Sequence, residues 1–187
     1  MKRHFSAASP YGRKVRACAV ARGLERGIEK IAPKPHALPD DLPANKPLSK
    51  APALLTPEGV AVHDSPVICG FLDHHGDAPR LFPPVGSAAR LKVSLRQATA
   101  DGILDAAVAR RMQAGHPQDE ARRALDVLEQ DPPQGLSDIG TIGVGCALGD
   151  LDFRFAYEPW RETHPRVAAW FAEVSQPRPL AETVPLG

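Results

Sequence analysis

An aspartate and a serine, Asp64 and Ser65, stand directly before Pro66 and the apolar residues that follow it. Serine is a preferred helix N-cap and proline is favoured at the first helical position, so the sequence predicts a helix capped by Ser65. A helix N-terminus has unpaired N–H groups and a positive dipole end, which suit a carboxylate. The Asp64 carboxylate suits an ammonium. Together the two residues match both charged ends of a free α-amino acid.

The backbone just before this pair offers a second kind of binding group. Two apolar runs, 53–55 and 60–62, flank Thr-Pro-Glu-Gly at 56–59, a turn sequence that predicts a β-hairpin. Pro52 precedes the first run. If its peptide bond is cis, the N–H and C=O of Ala51 face outward, where an extended peptide can pair with them.

Ser9 and Pro10 repeat the capping pattern and predict a helix over residues 10–23, between short strands at 2–6 and 28–31. Residues 77–86 are rich in proline and read as a linker. Beyond them the apolar spacing predicts helices over 88–112, 119–129 and 138–154, and a last helix near 164–174. Gly102 predicts a close approach of a ligand or a helix. Gly140, Gly143, Gly145 and Gly149 predict a central helix that is packed on all sides.

Composition excludes several functions. The net charge of +1 over 187 residues gives no electrostatic case for nucleic acid or a membrane surface. The apolar stretches are too short to span a bilayer, and the N-terminus lacks the apolar segment of a signal peptide, so a cytoplasmic protein is expected. Cys18, Cys69 and Cys146 are widely spaced and predict buried thiols. No metal site is predicted, because the histidines and cysteines lack ligand spacing.

Three segments resemble the glutathione S-transferase family. Lys-Ala-Pro at 50–52, a hairpin, and Asp-Ser-Pro-Val-Ile at 64–68 follow the order of its thioredoxin-like domain. Ser-Pro-Tyr-Gly-Arg-Lys-Val-Arg at 9–16 resembles the catalytic corner of serine-type members. Residues 145–154, Gly-Cys-Ala-Leu-Gly-Asp-Leu-Asp-Phe-Arg, resemble a segment common in bacterial transferases of this family.

The resemblance implies an α/β plus all-α architecture. A thioredoxin-like, glutathione-binding domain would occupy residues 1–76, a linker 77–86, and an all-helical domain 87–187. It also implies a homodimer in which the helix after Ser65 and the helix from Ala88 are the contacts.

The resemblance also implies the site residues. Ser9 would be catalytic, its hydroxyl donating to the glutathione thiolate, with Ser6 as the rival. The glutathione-binding residues would be Lys50, Ala51, Pro52, Asp64 and Ser65. A second-substrate pocket would be lined by Ala8, Tyr11, Ala98, Asp101, Gly102 and Asp105.

The implied activity is conjugation of glutathione, as co-substrate and without a metal, to small apolar electrophiles, a detoxification reaction. The alternative is a glutathione-binding or protein-interaction module of the same fold with little catalysis. Two features depart from the family. The family opens its central helix with Ser/Thr-x-x-Asp, whereas Asp138 and Thr141 form the reversed pair here. The region around 115–119 is also shorter than in many relatives.

Overall fold

The computed structural model describes residues 1–4, 8–31, 52–112 and 119–185. In chain order its elements are β1 Lys2–His4, α1 Pro10–Ala21, a 3-10 turn Glu25–Gly27, β2 Glu29–Ile31, β3 Ala53–Leu55, β4 Ala61–Val62, α2 Ser65–His75, α3 Ala88–Met112, α4 Asp119–Gln130, α5 Ile139–Phe155, α6 Trp160–Thr163, α7 Pro165–Val174 and α8 Arg178–Ala181. This α/β part followed by a helical part confirms the predicted fold class. The division of the chain at residues 76 and 86 stays a prediction.

The described strands form one sheet in the order β2-β1-β3-β4. β1 is parallel to β2 and antiparallel to β3, and β3 pairs antiparallel with β4, with Leu54 opposite Val62. The predicted hairpin is confirmed. Gly59 closes its turn at φ +84°, a conformation that glycine adopts without steric cost.

The two helices of the α/β part begin at side-chain caps. Ser9 caps α1 as predicted, and its Oγ accepts a hydrogen bond from the Gly12 N–H at 3.1 Å. The predicted cap of α2 was wrong by one residue. Asp64 is the N-cap, and its Oδ1 accepts from the Ser65 N–H at 2.5 Å, so Ser65 already lies in the first turn. A carboxylate accepts this bond more strongly than a hydroxyl would, which explains the order.

The helical part matches the predicted pattern in its long elements. α3 has the predicted bounds, and α4, α5 and α7 differ from prediction by one residue or so at their ends. The four-residue helices α6 and α8 were not predicted, because a single turn is too short to show a helical period. The reversed pair at the start of α5 forms a complete capping box. Thr141 N donates to Asp138 Oδ1 at 2.8 Å, and Asp138 N donates to Thr141 Oγ1 at 3.2 Å.

α5 is the centre of the molecule. Every residue from 139 to 151 is buried, and α5 packs against α1, α3, α7 and α8. A Cβ on Gly140 would lie 2.8 Å from the Val93 carbonyl oxygen of α3, and one on Gly143 would lie 3.2 Å from the Ala100 Cβ. The prediction that these glycines allow close packing is confirmed, as is the burial of the three cysteine thiols.

The predicted close approach of a ligand stays a prediction, whereas the close approach of a helix was wrong for Gly102. It lies in the middle of α3 and is exposed, and a Cβ built on it would meet no atom within 4 Å. It therefore allows no close approach of another helix.

The two glycines give a matched pair of stability predictions. Gly140→Ala should lower the free energy of unfolding by about 1–3 kcal/mol, because neither the α3 backbone nor the Arg96 Cβ at 2.9 Å can give way easily. Gly102→Ala should raise it by up to about 1 kcal/mol, since alanine has the higher helix propensity and the space is open. Urea unfolding of both variants measures the difference. Shifts of the same sign would contradict the packing described for α5.

Candidate functional site

Ser9 lies at the N-terminus of α1 with extended backbone angles, φ −79° and ψ 118°. Its Oγ uses an acceptor lone pair on the Gly12 N–H and donates to no atom among the described residues. The hydroxyl proton is therefore available to a ligand. Because the positive end of the α1 dipole lies at the same place, an anion near Ser9 would be stabilised twice.

The N-terminus of α2 supplies a second set of groups. Asp64 is exposed, whereas Ser65 is only 1 % exposed and its Oγ has no hydrogen-bond partner among the described residues. A buried hydroxyl without a partner costs free energy, so a ligand that reaches it gains a hydrogen bond and removes that cost. This orphaned hydroxyl next to the exposed carboxylate of Asp64, which also caps α2, suits the two charged ends of a free α-amino acid.

Two side-chain pairs join α1 to α3. The Tyr11 hydroxyl donates a hydrogen bond to Asp105, and the fully buried Lys14 ammonium is ion-paired with Asp101. Burial, and then the hydrogen bond to Asp105, raises the pKa of Tyr11 well above its ordinary value. Its proton is thus held by Asp105, so Tyr11 does not compete with Ser9 as a donor to an anionic ligand.

The carboxylates of α2 and α3 lie within electrostatic reach of one another. Burial raises the pKa of Asp101, Lys14 opposes that rise, and the negative charges of Asp105 and Asp64 add to it. Lys14 matches the charge of Asp101, whereas Asp64 is exposed and has no ion-pair partner among the described residues, so Asp64 suits an ammonium. Within the described residues, no group of three or more His, Cys, Asp or Glu side chains could hold a metal ion.

Tyr11, Asp64, Asp101 and Asp105 lie within electrostatic reach of one another, Ser9 stands two residues before Tyr11 at the start of α1, and Ser65 follows Asp64 on α2. Ala8 is half-buried next to Ser9, and Pro52 is buried directly before β3. Ala98 and Gly102 are exposed on α3, where Gly102 borders a surface groove beside Ala124 and Val127 of α4. Lys50, Ala51 and Ser6 lie outside the described residues.

Two residues that position this site were not predicted. Lys14 was not assigned a role, because nothing in the sequence places Asp101 beside it. Arg154 of α5 donates from Nη2 to the Ala8 carbonyl at 2.7 Å. Its pairing with Asp150 could have been found from their spacing of four residues inside an apolar helix.

A separate cavity of about 300 Å³ lies among α3–α6, and its wall includes Leu125, Leu151 and Phe155. Arg122 lines it with an exposed side chain, and the other charged groups of its wall have partners. Arg110 binds Glu158, and the His164 ring lies against Asp126. Because none of its polar side chains is among the buried, unpartnered ones of the described residues, whereas Ser65 is, this cavity is a weaker candidate than the site at Ser9 and Ser65.

Comparison with known proteins decides the family. The model of the glutathione S-transferase N-terminal domain matches residues 8–75. A glutathione transferase family member from Pseudomonas fluorescens Pf-5, solved with bound glutathione, is 34% identical, with a TM-score of 0.87 over 100% of this chain and 99% of that one. The chain belongs to the glutathione transferase family.

Other members of the family are similar over almost their whole length. A glutathione S-transferase from Methylobacillus flagellatus KT with glutathione bound is 29% identical, with a TM-score of 0.86 over 99% of both chains. The uncharacterized GST-like protein YibF of Escherichia coli K12 is 28% identical over 99% of this chain and 98% of its own. Among the described helices of this transferase family member, none has the length and apolar composition needed to cross a membrane.

Proposed function

We propose that this protein is a glutathione S-transferase that uses Ser9 to stabilise the glutathione thiolate and transfers it to small apolar electrophiles. The observation that carries the proposal is the Ser9 hydroxyl, held as the N-cap of α1 with its proton unused by the described residues. A hydrogen bond to the sulfur and the α1 dipole both favour the charged form of a thiol, so both lower its pKa. The thiolate, and not the thiol, is the nucleophile.

The α2 end of the cleft accounts for glutathione itself. The γ-glutamyl end of glutathione carries an ammonium and a carboxylate. Asp64, with Asp101 and Asp105 nearby, would bind the ammonium, while the orphaned Ser65 hydroxyl and the α2 N-terminus would bind the carboxylate. Ala51, before Pro52, would pair with the cysteinyl backbone, and Lys50 with the glycine carboxylate.

A glutathione conjugate bound in a relative supports the proposed transfer of glutathione to an electrophile. The Pseudomonas fluorescens protein has also been solved with S-(propanoic acid)-glutathione, in which the sulfur is bonded to carbon. The electrophile would lie beside Ala8 and Tyr11, in a pocket with Ala98, Asp101, Gly102 and Asp105 of α3.

A binding module with little catalysis is the second candidate, because Ser65 and Asp64 alone would hold glutathione. We further propose a cytoplasmic role in detoxification.

We propose that the protein is a homodimer. Val67 on α2 and Leu91 and Leu95 on α3 are 57–62 % exposed, which is unfavourable for large apolar side chains on two neighbouring helices. These are the helices that the family resemblance implicates in dimer contacts, and a self-complementary patch is what a two-fold interface requires.

The first prediction concerns glutathione affinity. Asp64→Asn keeps an oxygen to cap α2 but removes the charge, so an ammonium in the cleft loses a partner at a cost of about 1–3 kcal/mol. The Kd measured by calorimetry should rise roughly five- to a hundred-fold. Asp64→Ala should lose the cap in addition. Arg178→Ala, whose side chain pairs with Glu25 and Glu182, should keep the wild-type Kd. Unchanged affinity in both Asp64 variants would contradict the assignment.

The second prediction concerns catalysis. Ser9→Ala should slow conjugation of an aryl halide by roughly ten- to a hundred-fold, since a hydrogen bond to a charged group contributes about 1.5–3 kcal/mol. The pKa of bound glutathione, followed by the ultraviolet absorbance of the thiolate, should rise, while its Kd changes little.

Two variants control for this result. Ser87 caps α3 in the same way, with its Oγ accepting from the Arg90 N–H at 3.1 Å, so Ser87→Ala should lose helix stability but no activity. Ser6→Ala should have a much smaller effect than Ser9→Ala. A full rate in Ser9→Ala with a loss in Ser6→Ala would transfer the role to Ser6. No thiolate and no turnover in the wild type would favour the binding module.

The third prediction concerns assembly. Light scattering at micromolar concentration should give twice the chain mass of 20.1 kDa. Leu91→Glu with Leu95→Glu should give a monomer, because two charges would be buried in an apolar interface. Val127→Glu on α4, where valine is equally exposed, is the matched control and should stay dimeric. A monomeric wild type would refute the homodimer.

A further inference from the structure

The central helix α5 reaches the residue that directly precedes Ser9. Arg154 donates from Nη2 to the Ala8 carbonyl oxygen at 2.7 Å, across 146 residues of sequence. Its Nε lies 2.9 and 2.8 Å from the two carboxylate oxygens of Asp150, one turn earlier on α5. One guanidinium therefore joins the core of the helical part to the loop that carries the candidate nucleophile-activating serine.

The contact of Arg154 with Asp150 and Ala8 is buried and does not lie at the surface. The side chains of Asp150 and Arg154 are 1% and 6% exposed. Removing two charges from water is costly and is tolerated where hydrogen bonds satisfy both groups. The Asp150 carboxylate accepts from Nε of Arg154, and the Ala8 carbonyl accepts from Nη2 of the same guanidinium.

We propose that Arg154 is a positioning residue for the thiol-activating hydroxyl: by holding the Ala8 carbonyl, with Asp150 behind it, Arg154 sets the direction of Ser9. This inference rests on the proposed function of Ser9. The Asp150–Arg154 pair would then affect activity through Ser9, without contacting a substrate.

The geometry of the peptide unit explains how the contact acts at a distance. The Ala8 carbonyl and the Ser9 nitrogen belong to one planar peptide group, so fixing the oxygen fixes that plane and the start of the Ser9 residue. Ser9 is the N-cap of α1, with an extended backbone, and its carbonyl accepts a hydrogen bond from the Arg13 N–H at 2.9 Å. The direction of its side chain therefore depends on the Ala8–Ser9 peptide plane together with this bond and the Gly12 hydrogen bond. A misplacement of about 1 Å at a reacting group can cost about a hundred-fold in rate.

Charge alone is a poor explanation for such a role. The positive charge of Arg154 is neutralised by the carboxylate of Asp150, which it contacts through two oxygens. An effect on the thiolate that passes through Ser9 can be separated from a direct electrostatic effect, because the first disappears when the Ser9 hydroxyl is absent.

The experiment compares three variants of the full chain with the wild type. Arg154→Met removes the donors and the charge and keeps the length of the side chain, and Arg154→Lys restores one donor. Arg161→Met is the matched control, because Arg161 forms a similar double contact with Asp152 of the same helix but does not touch Ala8. The measurements are the pKa of bound glutathione by thiolate absorbance, kcat and KM for glutathione, and the melting temperature.

Arg154→Met should raise the pKa of bound glutathione and lower kcat by about ten- to a hundred-fold, with KM for glutathione changed much less. Arg154→Lys should recover part of both losses, and Arg161→Met should change neither. In the Ser9→Ala background, Arg154→Met should add little to the rise in pKa, since two residues that act as a unit are not additive.

A wild-type thiol pKa in folded Arg154→Met would overturn the inference, whatever its melting temperature, while leaving the proposed function in place. Full additivity with Ser9→Ala would overturn it too, because Arg154 would then act directly on the thiolate. If Arg154→Met does not fold, Arg154→Lys and Asp150→Asn decide by the same pKa measurement. No thiolate in the wild type would refute the proposed function and this inference together.

Discussion

The burial of α5 is the constraint on which the rest of the structure depends. From 139 to 151 this helix has no face toward water, so its neighbours must cover it on every side. Ordinary side chains at every position would hold those neighbours apart, since helices with side chains at the contact lie 8–10 Å apart. Glycine at 140 allows the α3 backbone to approach, and glycine at 149 makes room for the Arg13 guanidinium of α1. The position of α1, and with it that of Ser9, follows from this packing.

Apolar packing alone would leave the direction of α1 loosely specified, since hydrophobic contact is non-directional. The polar contacts supply the direction. Lys14 pairs with Asp101 of α3, Tyr11 donates to Asp105, and Arg154 of α5 binds the Ala8 carbonyl. Of these contacts, the Lys14–Asp101 ion pair has a fully buried ammonium, and breaking a buried pair costs about 3–5 kcal/mol even where an apolar replacement would be equally stable. The pair therefore penalises any other arrangement of the first turn of α1 more than it stabilises the fold.

Local rules predicted the elements, and tertiary contacts explain where they failed. The caps at Ser9 and Asp138, the hairpin and the bounds of α3 were predictable because each depends on neighbouring residues in the sequence. Asp64 and Ser65 were recognised as a pair, but which of them caps α2 depends on a backbone angle that the sequence does not reveal. The prediction of a helix close to Gly102 failed for a similar reason, because the sequence does not show whether a glycine within a helix faces another helix or water.

The site could be predicted only in part from the sequence. Ser9, Asp64 and Ser65 are visible in the sequence because helix N-termini carry recognisable residue types. Lys14 and the contact of Arg154 with Ala8 are not, because their partners lie on other elements, whereas the Asp150–Arg154 pair has a recognisable four-residue spacing. In this protein the residues proposed to touch glutathione come largely from the α/β part, whereas those proposed to orient Ser9 come from the helical part. A substitution at Asp150 or Arg154 of α5 is therefore expected to alter thiol activation without touching the ligand, while one at the α2 N-terminus is expected to act on binding.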